Sequence, residues 1–189
     1  GLGQEDLNFW YCDEPISPAA WELRYGRAVD FEESINWINS LRTAVFSQQA
    51  GVLLVEGVGG LLAPLAKGKT VASLGQAIGA QLIVVAPNRV GVVNQVLLTI
   101  EAATKRDLEV ALVVLMRQKK SDDSALENSD LIRSNLPLMT GFKGVIEFPY
   151  LGPDASDPGL IPIHANKAGK TLSQVAELLA LSVYSGAGD

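Results

Sequence analysis

The apolar run Val52-Leu53-Leu54-Val55 leads directly into Glu56-Gly57-Val58-Gly59-Gly60, a carboxylate followed by three glycines in four residues. Glycine lets a backbone turn tightly and lets a ligand approach it closely. An acidic side chain at the carboxyl end of a strand, beside such a turn, can hold Mg2+ directly or through water, as nucleotide sites require. The plainer alternative is a strand-to-loop turn with a solvated Glu56. A second segment, Asn88-Arg89-Val90-Gly91-Val92-Val93-Asn94, joins an expected strand to an expected helix. Its backbone N–H groups and the helix N-terminus can receive a carboxylate or a phosphate. The competing reading is an ordinary connection with Asn94 in the first helical turn.

Other residues carry weaker signals. Gly68-Lys69-Thr70 ends like a phosphate loop, but the Gly required five residues earlier is Ala63, with Pro64 beside it. The segment is therefore expected to cap a helix that starts at Val71. His164, the single histidine, lies in a Pro/Gly-rich stretch without a Ser or Cys motif and is expected to be exposed. Trp10, Tyr11, Trp21 and Trp37 are expected to pack rather than to stack on bases, since no basic stripe accompanies them. No residue is assigned as a catalytic acid, base or nucleophile.

These residues need elements to position them. Val52–Val55, Leu82–Ala86, Val110–Leu115 and Gly144–Phe148 are short, uninterrupted apolar runs, as in parallel strands buried on both faces. Between them the apolar period becomes helical. Asp30 and Glu33 form a capping-box-like pair ahead of Ile35, Ile38, Leu41 and Val45, and that helix should end near Gln49. The same period recurs in Val71, Leu74 and Ile78, in Val93, Val96, Leu97 and Ile100, and in Leu172, Val175, Leu179 and Val183. Alternating strands and helices predict a three-layer, doubly wound, mostly parallel α/β domain over residues 1–189, with ligands at the carboxyl ends of the strands. Residues 152–169, with three Pro and three Gly, predict a surface loop.

Composition narrows the classes. The 189 residues are 48% hydrophobic and 19% charged, enough for a sizeable core in a single domain. Lys and Arg number 15 against 21 Asp and Glu, a net charge of -6 with no basic stripe, which argues against a nucleic-acid surface. One cysteine, Cys12, makes no internal disulfide, and no Cys/His set has metal-ligand spacing. Apolar runs fall far short of the ~20 residues that span a bilayer. A reducing, cytoplasmic setting without a membrane partner is expected.

Taken in order, several segments resemble the dethiobiotin synthetase family. They are Tyr11 with Glu14-Pro15-Ile16-Ser17-Pro18, then Leu54 to Gly60 with Pro64-Leu65, Val90 to Asn94 with Leu97-Leu98-Thr99, and Glu147-Phe148-Pro149-Tyr150-Leu151. The resemblance implies a P-loop NTPase-like fold and an ATP- and Mg2+-dependent ligase that closes a ureido ring on diaminopelargonate with carbon dioxide. It implies Glu56 as a Mg2+ ligand, Gly59 at the phosphate and substrate region, and Gly91, Val92, Val93 and Asn94 at the substrate carboxylate. It implies Pro149, Tyr150 and Leu151 near the nucleotide base, and a homodimer in which the Gly91–Asn94 loop reaches the neighbouring subunit. The family's first strand, its G-x-x-x-x-G-K-[ST] loop and a following basic strand have no counterpart in the 189 residues. Met116 stands near the family's strand-ending Asn, Ala19 follows Ser17-Pro18 in place of His, and Gln95 follows Asn94 in place of His. The fold is thus expected to lack the first strand and phosphate loop, and the chain to be inactive by itself. The alternative is a catalytically silent, homodimeric ligand-binding or interaction protein on the same scaffold.

Overall fold

The computed structural model describes residues 8–10, 14, 16–46, 52–57, 59–136, 139 and 141–179. Tyr11, Cys12, Pro15, Val58, Val183 and the helix end expected near Gln49 lie outside them. The contacts group into two compact units, Gly1–Ala80 with Lys105–Leu108, and Gln81–Thr104 with Glu109–Asp189.

In the first unit, helix α1 (Pro18–Tyr25) starts where the Ser17 hydroxyl accepts the Ala20 N–H at 3.2 Å, with Pro18 in the first turn where its missing donor costs nothing. Gly26, at φ +68°, ends it. Indole rings gather here as expected. Trp21 lies 4.3 Å from Tyr25 and edge-on to Trp10 at 6.1 Å, and Trp37 lies 5.7 Å from Phe9. Helix α2 (Phe31–Phe46) is capped by Asp30, whose carboxylate accepts the Glu33 N–H at 2.9 Å, one half of the expected box. Strands β1 (Pro64–Ala66) and β2 (Lys69–Thr70) form a small antiparallel hairpin. It delivers Thr70 to the start of helix α3 (Val71–Ala77), where Thr70 and Ser73 exchange side-chain and backbone bonds as a full capping box. The helix expected from Val71 is therefore present, and Thr70 caps it.

The expected strand Val52–Val55 is not formed. The segment has no regular secondary structure, Val52 and Leu54 are exposed, and no strand pairs with it among the described residues. An apolar run becomes a strand only where another strand takes up its N–H and C=O groups.

The second unit holds a parallel sheet in the order β3 (Leu82–Pro87), β4 (Val110–Met116), β5 (Gly144–Phe148). All three match the runs read from the sequence. The central strand β4 is buried over its first six residues, as a parallel strand covered on both faces must be. On one face Leu112, Val114 and Ile146 pack against Val175 and Leu178 of helix α6 (Ile161–Leu178). By alternation Val113 and Leu115 face the other way, towards the layer of helix α4 (Val92–Thr104) and helix α5 (Asn128–Asn135), which pack on the strands and on each other. Val92, Val96 and Ile100 of α4 and Ile132 of α5 are fully buried. The unit is thus an α/β sandwich with helices on both faces of a parallel sheet.

The surface loop expected over residues 152–169 is only partly present. A 3-10 turn at Pro158–Leu160 runs into α6, and both Pro158 and Pro162 occupy first-turn positions that tolerate proline. His164 is consequently not an exposed loop residue. It sits in α6 at 8% exposure, its Nε2 3.3 Å from the Asp154 carbonyl.

Candidate functional site

Parallel strands end on one side of their sheet, and the register here aligns Pro87 with Met116 and Met116 with Phe148. The segments leaving β3, β4 and β5 therefore emerge along one edge, the outer two about 10 Å apart given the usual spacing of neighbouring strands. These segments are Asn88–Gly91, Arg117–Gln118 and Pro149–Leu151. Gly91–Asn94 and Pro149–Leu151, predicted from widely separated stretches of sequence, are brought to the same edge of one sheet.

The turn after β3 is tightly specified. Asn88 is buried at 2% exposure; its backbone N–H donates to the Met116 carbonyl at 2.8 Å and its amide to the Ala125 carbonyl at 3.0 Å. Asn128, also buried, donates to Asn88 Oδ1 at 2.8 Å and to the Arg89 carbonyl at 3.3 Å. On the solvent side the Asp122 carboxylate accepts the Val90 N–H at 2.8 Å. Bonds from the Ser124 hydroxyl and the Val90 N–H hold the Asp122 carboxyl below its usual range. Gly91 then adopts φ +87°, open to glycine and strained for other residues, with nothing within 4 Å of where a Cβ would point. Val92 opens α4, Val93 is half-buried, and Asn94 is exposed in the first turn, its amide without a hydrogen bond among the described residues. This open helix N-terminus can receive an anion.

At the end of β5, Pro149, Tyr150 and Leu151 are all half-buried. Lys167 of α6 donates to the Leu151 carbonyl at 2.9 Å, and the Arg117 guanidinium pairs with Glu147 at 2.9 Å. The Leu151 end of the segment is thereby fastened to α6, and the strand just before it to the exit from β4.

In the first unit, Glu56 is exposed ahead of the glycine turn. Gly59 and Gly60 both have positive φ, +84° and +97°, and Ala63 N–H closes the turn on the Gly60 carbonyl at 3.0 Å. A Cβ on Gly57 would lie 2.6 Å from Val71 Cγ1, so this backbone packs directly on the start of α3. The Leu61 and Ala63 carbonyls accept the first N–H groups of that helix, from Ala72 and Val71. Lys69 is turned onto the Phe31 ring, 5.0 Å from its centroid. A shallow cleft of about 450 Å³ in this unit is lined by Phe31, Lys67 and Lys69 among others, and by none of the predicted site residues. Among the described residues no group of three or more His, Cys, Asp and Glu is placed to hold a metal ion, and no helix is long and apolar enough to cross a membrane.

Sequence reasoning put Asn88 in a candidate segment without a role for its side chain, and it missed Asn128 and Asp122. Nothing in the local pattern marks them, because the pair is 40 residues apart and meets only in the fold.

The family model for an AAA domain matches residues 4–151. ATP-dependent dethiobiotin synthetase BioD of Anaeromyxobacter sp. (strain K) is 39% identical over 112 residues, 59% of this chain and 48% of that protein. The protein of the same name from Wolinella succinogenes is 32% identical over 114 residues, 60% and 50% of the two chains. That from Corynebacterium kroppenstedtii is 33% identical over 128 residues, 68% and 53%. The chain thus spans about half the length of the curated relatives it matches. With most of its length matched by the family model, and its parallel α/β sheet in agreement, the chain belongs to the AAA domain family, among the dethiobiotin synthetase-like members.

Proposed function

We propose that this chain is part of a dethiobiotin synthetase-type ligase of biotin biosynthesis, in which ATP drives closure of a ureido ring on diaminopelargonate with carbon dioxide. Joining two amines through one carbon dioxide must expel an oxygen, and phosphoryl transfer from ATP supplies the means to remove it. The observation that carries the reading is the open turn at Gly91–Asn94. Its geometry suits a substrate carboxylate, and it lies on the same sheet edge as Pro149–Leu151, where the nucleotide base would rest. Mg2+ commonly takes one or two protein carboxylates together with phosphate oxygens and water. Glu56, exposed beside a glycine turn, fits as one such ligand, with Gly59 letting substrate and phosphate approach. Mg2+ would neutralise phosphate charge there. With no G-x-x-x-x-G-K-[ST] cradle in its 189 residues, this chain alone holds the carboxylate substrate but not ATP tightly.

A homodimer fits the same reading. Val90 and Leu126, 71% and 81% exposed, flank the turn, and Leu98 is exposed two turns further along α4. The protein would act in the cytoplasm.

Isothermal titration with diaminopelargonate tests the reading. The chain should bind it, and Asn94→Ala should weaken binding about tenfold, the value of one hydrogen bond to a charged group. Because the Asn94 amide caps nothing, thermal stability should not change. A chain that does not bind this compound, or an Asn94→Ala variant that binds it as well as the parent, refutes the assignment.

A further inference from the structure

The peptide group between Arg89 and Val90 is held at both ends. Its carbonyl accepts from the Asn128 amide at 3.3 Å inside the protein, and its N–H donates to Asp122 at 2.8 Å on the solvent side. The same carbonyl also accepts the Val92 N–H, the first amide of α4, at 3.1 Å. A peptide group is planar, so the two grips fix how the chain enters Gly91 at φ +87° and which way the first free N–H groups of the helix point. Asn88 completes the arrangement. Its Oδ1 orients the Asn128 amide, and its own amide ties the pair to the Ala125 carbonyl of the 3-10 turn at Asp123–Leu126.

Such a pair is a poor device for stability alone. A fully bonded buried amide pair contributes little more than an apolar pair of similar shape, whereas it fixes direction, which an apolar pair does not. The side-chain bonds of the two asparagines all end on the turn, on the 3-10 segment or within the pair itself. We infer that Asn88 and Asn128 from within, and Asp122 from without, are positioning residues that clamp the Arg89–Val90 peptide and thereby set the anion-receiving geometry of the α4 N-terminus. The inference rests on the proposed carboxylate site.

The experiment titrates diaminopelargonate into the parent chain and two variants, with thermal midpoints and amide exchange measured beside it. The double variant Asn88→Leu with Asn128→Leu replaces the polar pair by an apolar one. It should keep a cooperative thermal transition, bind the ligand at least tenfold more weakly, and exchange the Val90 amide at least tenfold faster. Asp122→Ala is the second variant; it alters an exposed side chain, releasing the Val90 N–H together with the Ser124 N–H and hydroxyl at the start of the 3-10 turn. Removal of a negative charge near a carboxylate site would by itself tighten binding; release of the peptide clamp should instead weaken it threefold or more. Parent-like binding in a folded double variant, or tighter or equal binding in Asp122→Ala, overturns the clamp. If the double variant does not fold, the Asp122→Ala result decides. A parent that does not bind diaminopelargonate overturns the proposed function itself, and the clamp with it.

Discussion

Gly91 and Gly169 offer the same substitution in two backbone settings of one unit, and the two outcomes should have opposite signs. At φ +87° an L-residue carries a cost of roughly 1–2 kcal/mol. The space around Gly91 is open to 4 Å, so Gly91→Ala adds no steric cost to this. Gly169 lies within α6 with ordinary helical backbone, and a Cβ there also meets nothing within 4 Å outside the helix's own backbone. Gly169→Ala should therefore stabilise by about 0.5–1 kcal/mol. Both substitutions restrict the unfolded chain equally, so the difference between them isolates the native backbone. That difference is ~2 kcal/mol, a factor of about 30 in the unfolding constant. Urea unfolding followed by far-ultraviolet circular dichroism, with a slope near 2 kcal/mol per M, should lower the Gly91→Ala midpoint by about 0.5–1 M. The Gly169→Ala midpoint should rise by about 0.3–0.5 M. Shifts of the same sign, or an unchanged midpoint for Gly91→Ala, would refute the backbone argument.

Thr70→Ala removes the side chain that accepts the Ser73 N–H at the start of α3 and should destabilise the first unit by about 1 kcal/mol, measured by urea unfolding, with Thr70→Ser close to the parent. The Asp122 latch should respond to acid in one direction only. Its folded pKa lies below the ordinary carboxylate range, so the contribution is fully present above that range and is lost as pH falls through the lower folded value. Exchange of the Val90 amide, corrected for its intrinsic pH dependence, should be flat from neutral pH to about 5 and rise only in stronger acid; a rise near neutral pH would contradict the assignment.

Much of the second unit was legible in the sequence. Leu82–Ala86, Val110–Leu115 and Gly144–Phe148 are apolar on successive residues because both faces of those strands are covered, and each became a strand within one residue of its expected bounds. Val52–Val55 has the same texture and forms no strand, since pairing depends on partners that a local pattern does not contain. Residues 152–169 misled in the opposite sense. Pro158 and Pro162 read as loop punctuation, yet each stands where a helical turn starts, and the spacing of His164 and Ala168 belongs to the inner face of α6. Of the candidate site, Gly91 was readable because only glycine suits its turn. Asn88 and Asn128 were not, since each alone is an ordinary loop or helix-start asparagine and their meaning lies in meeting across 40 residues.

The aromatic cluster has a spectroscopic consequence. All three indoles, Trp10, Trp21 and Trp37, belong to the first unit, while the second carries Tyr150. Intrinsic fluorescence excited at the indole band therefore watches one unit, whereas the helical ellipticity draws on both, on α1, α2 and α3 in the first and on α4, α5 and α6 in the second. A single denaturant series read by both signals becomes a direct assay of cooperativity between the units: superimposed curves mean that the chain unfolds as one body, and displaced curves mean that it unfolds as two.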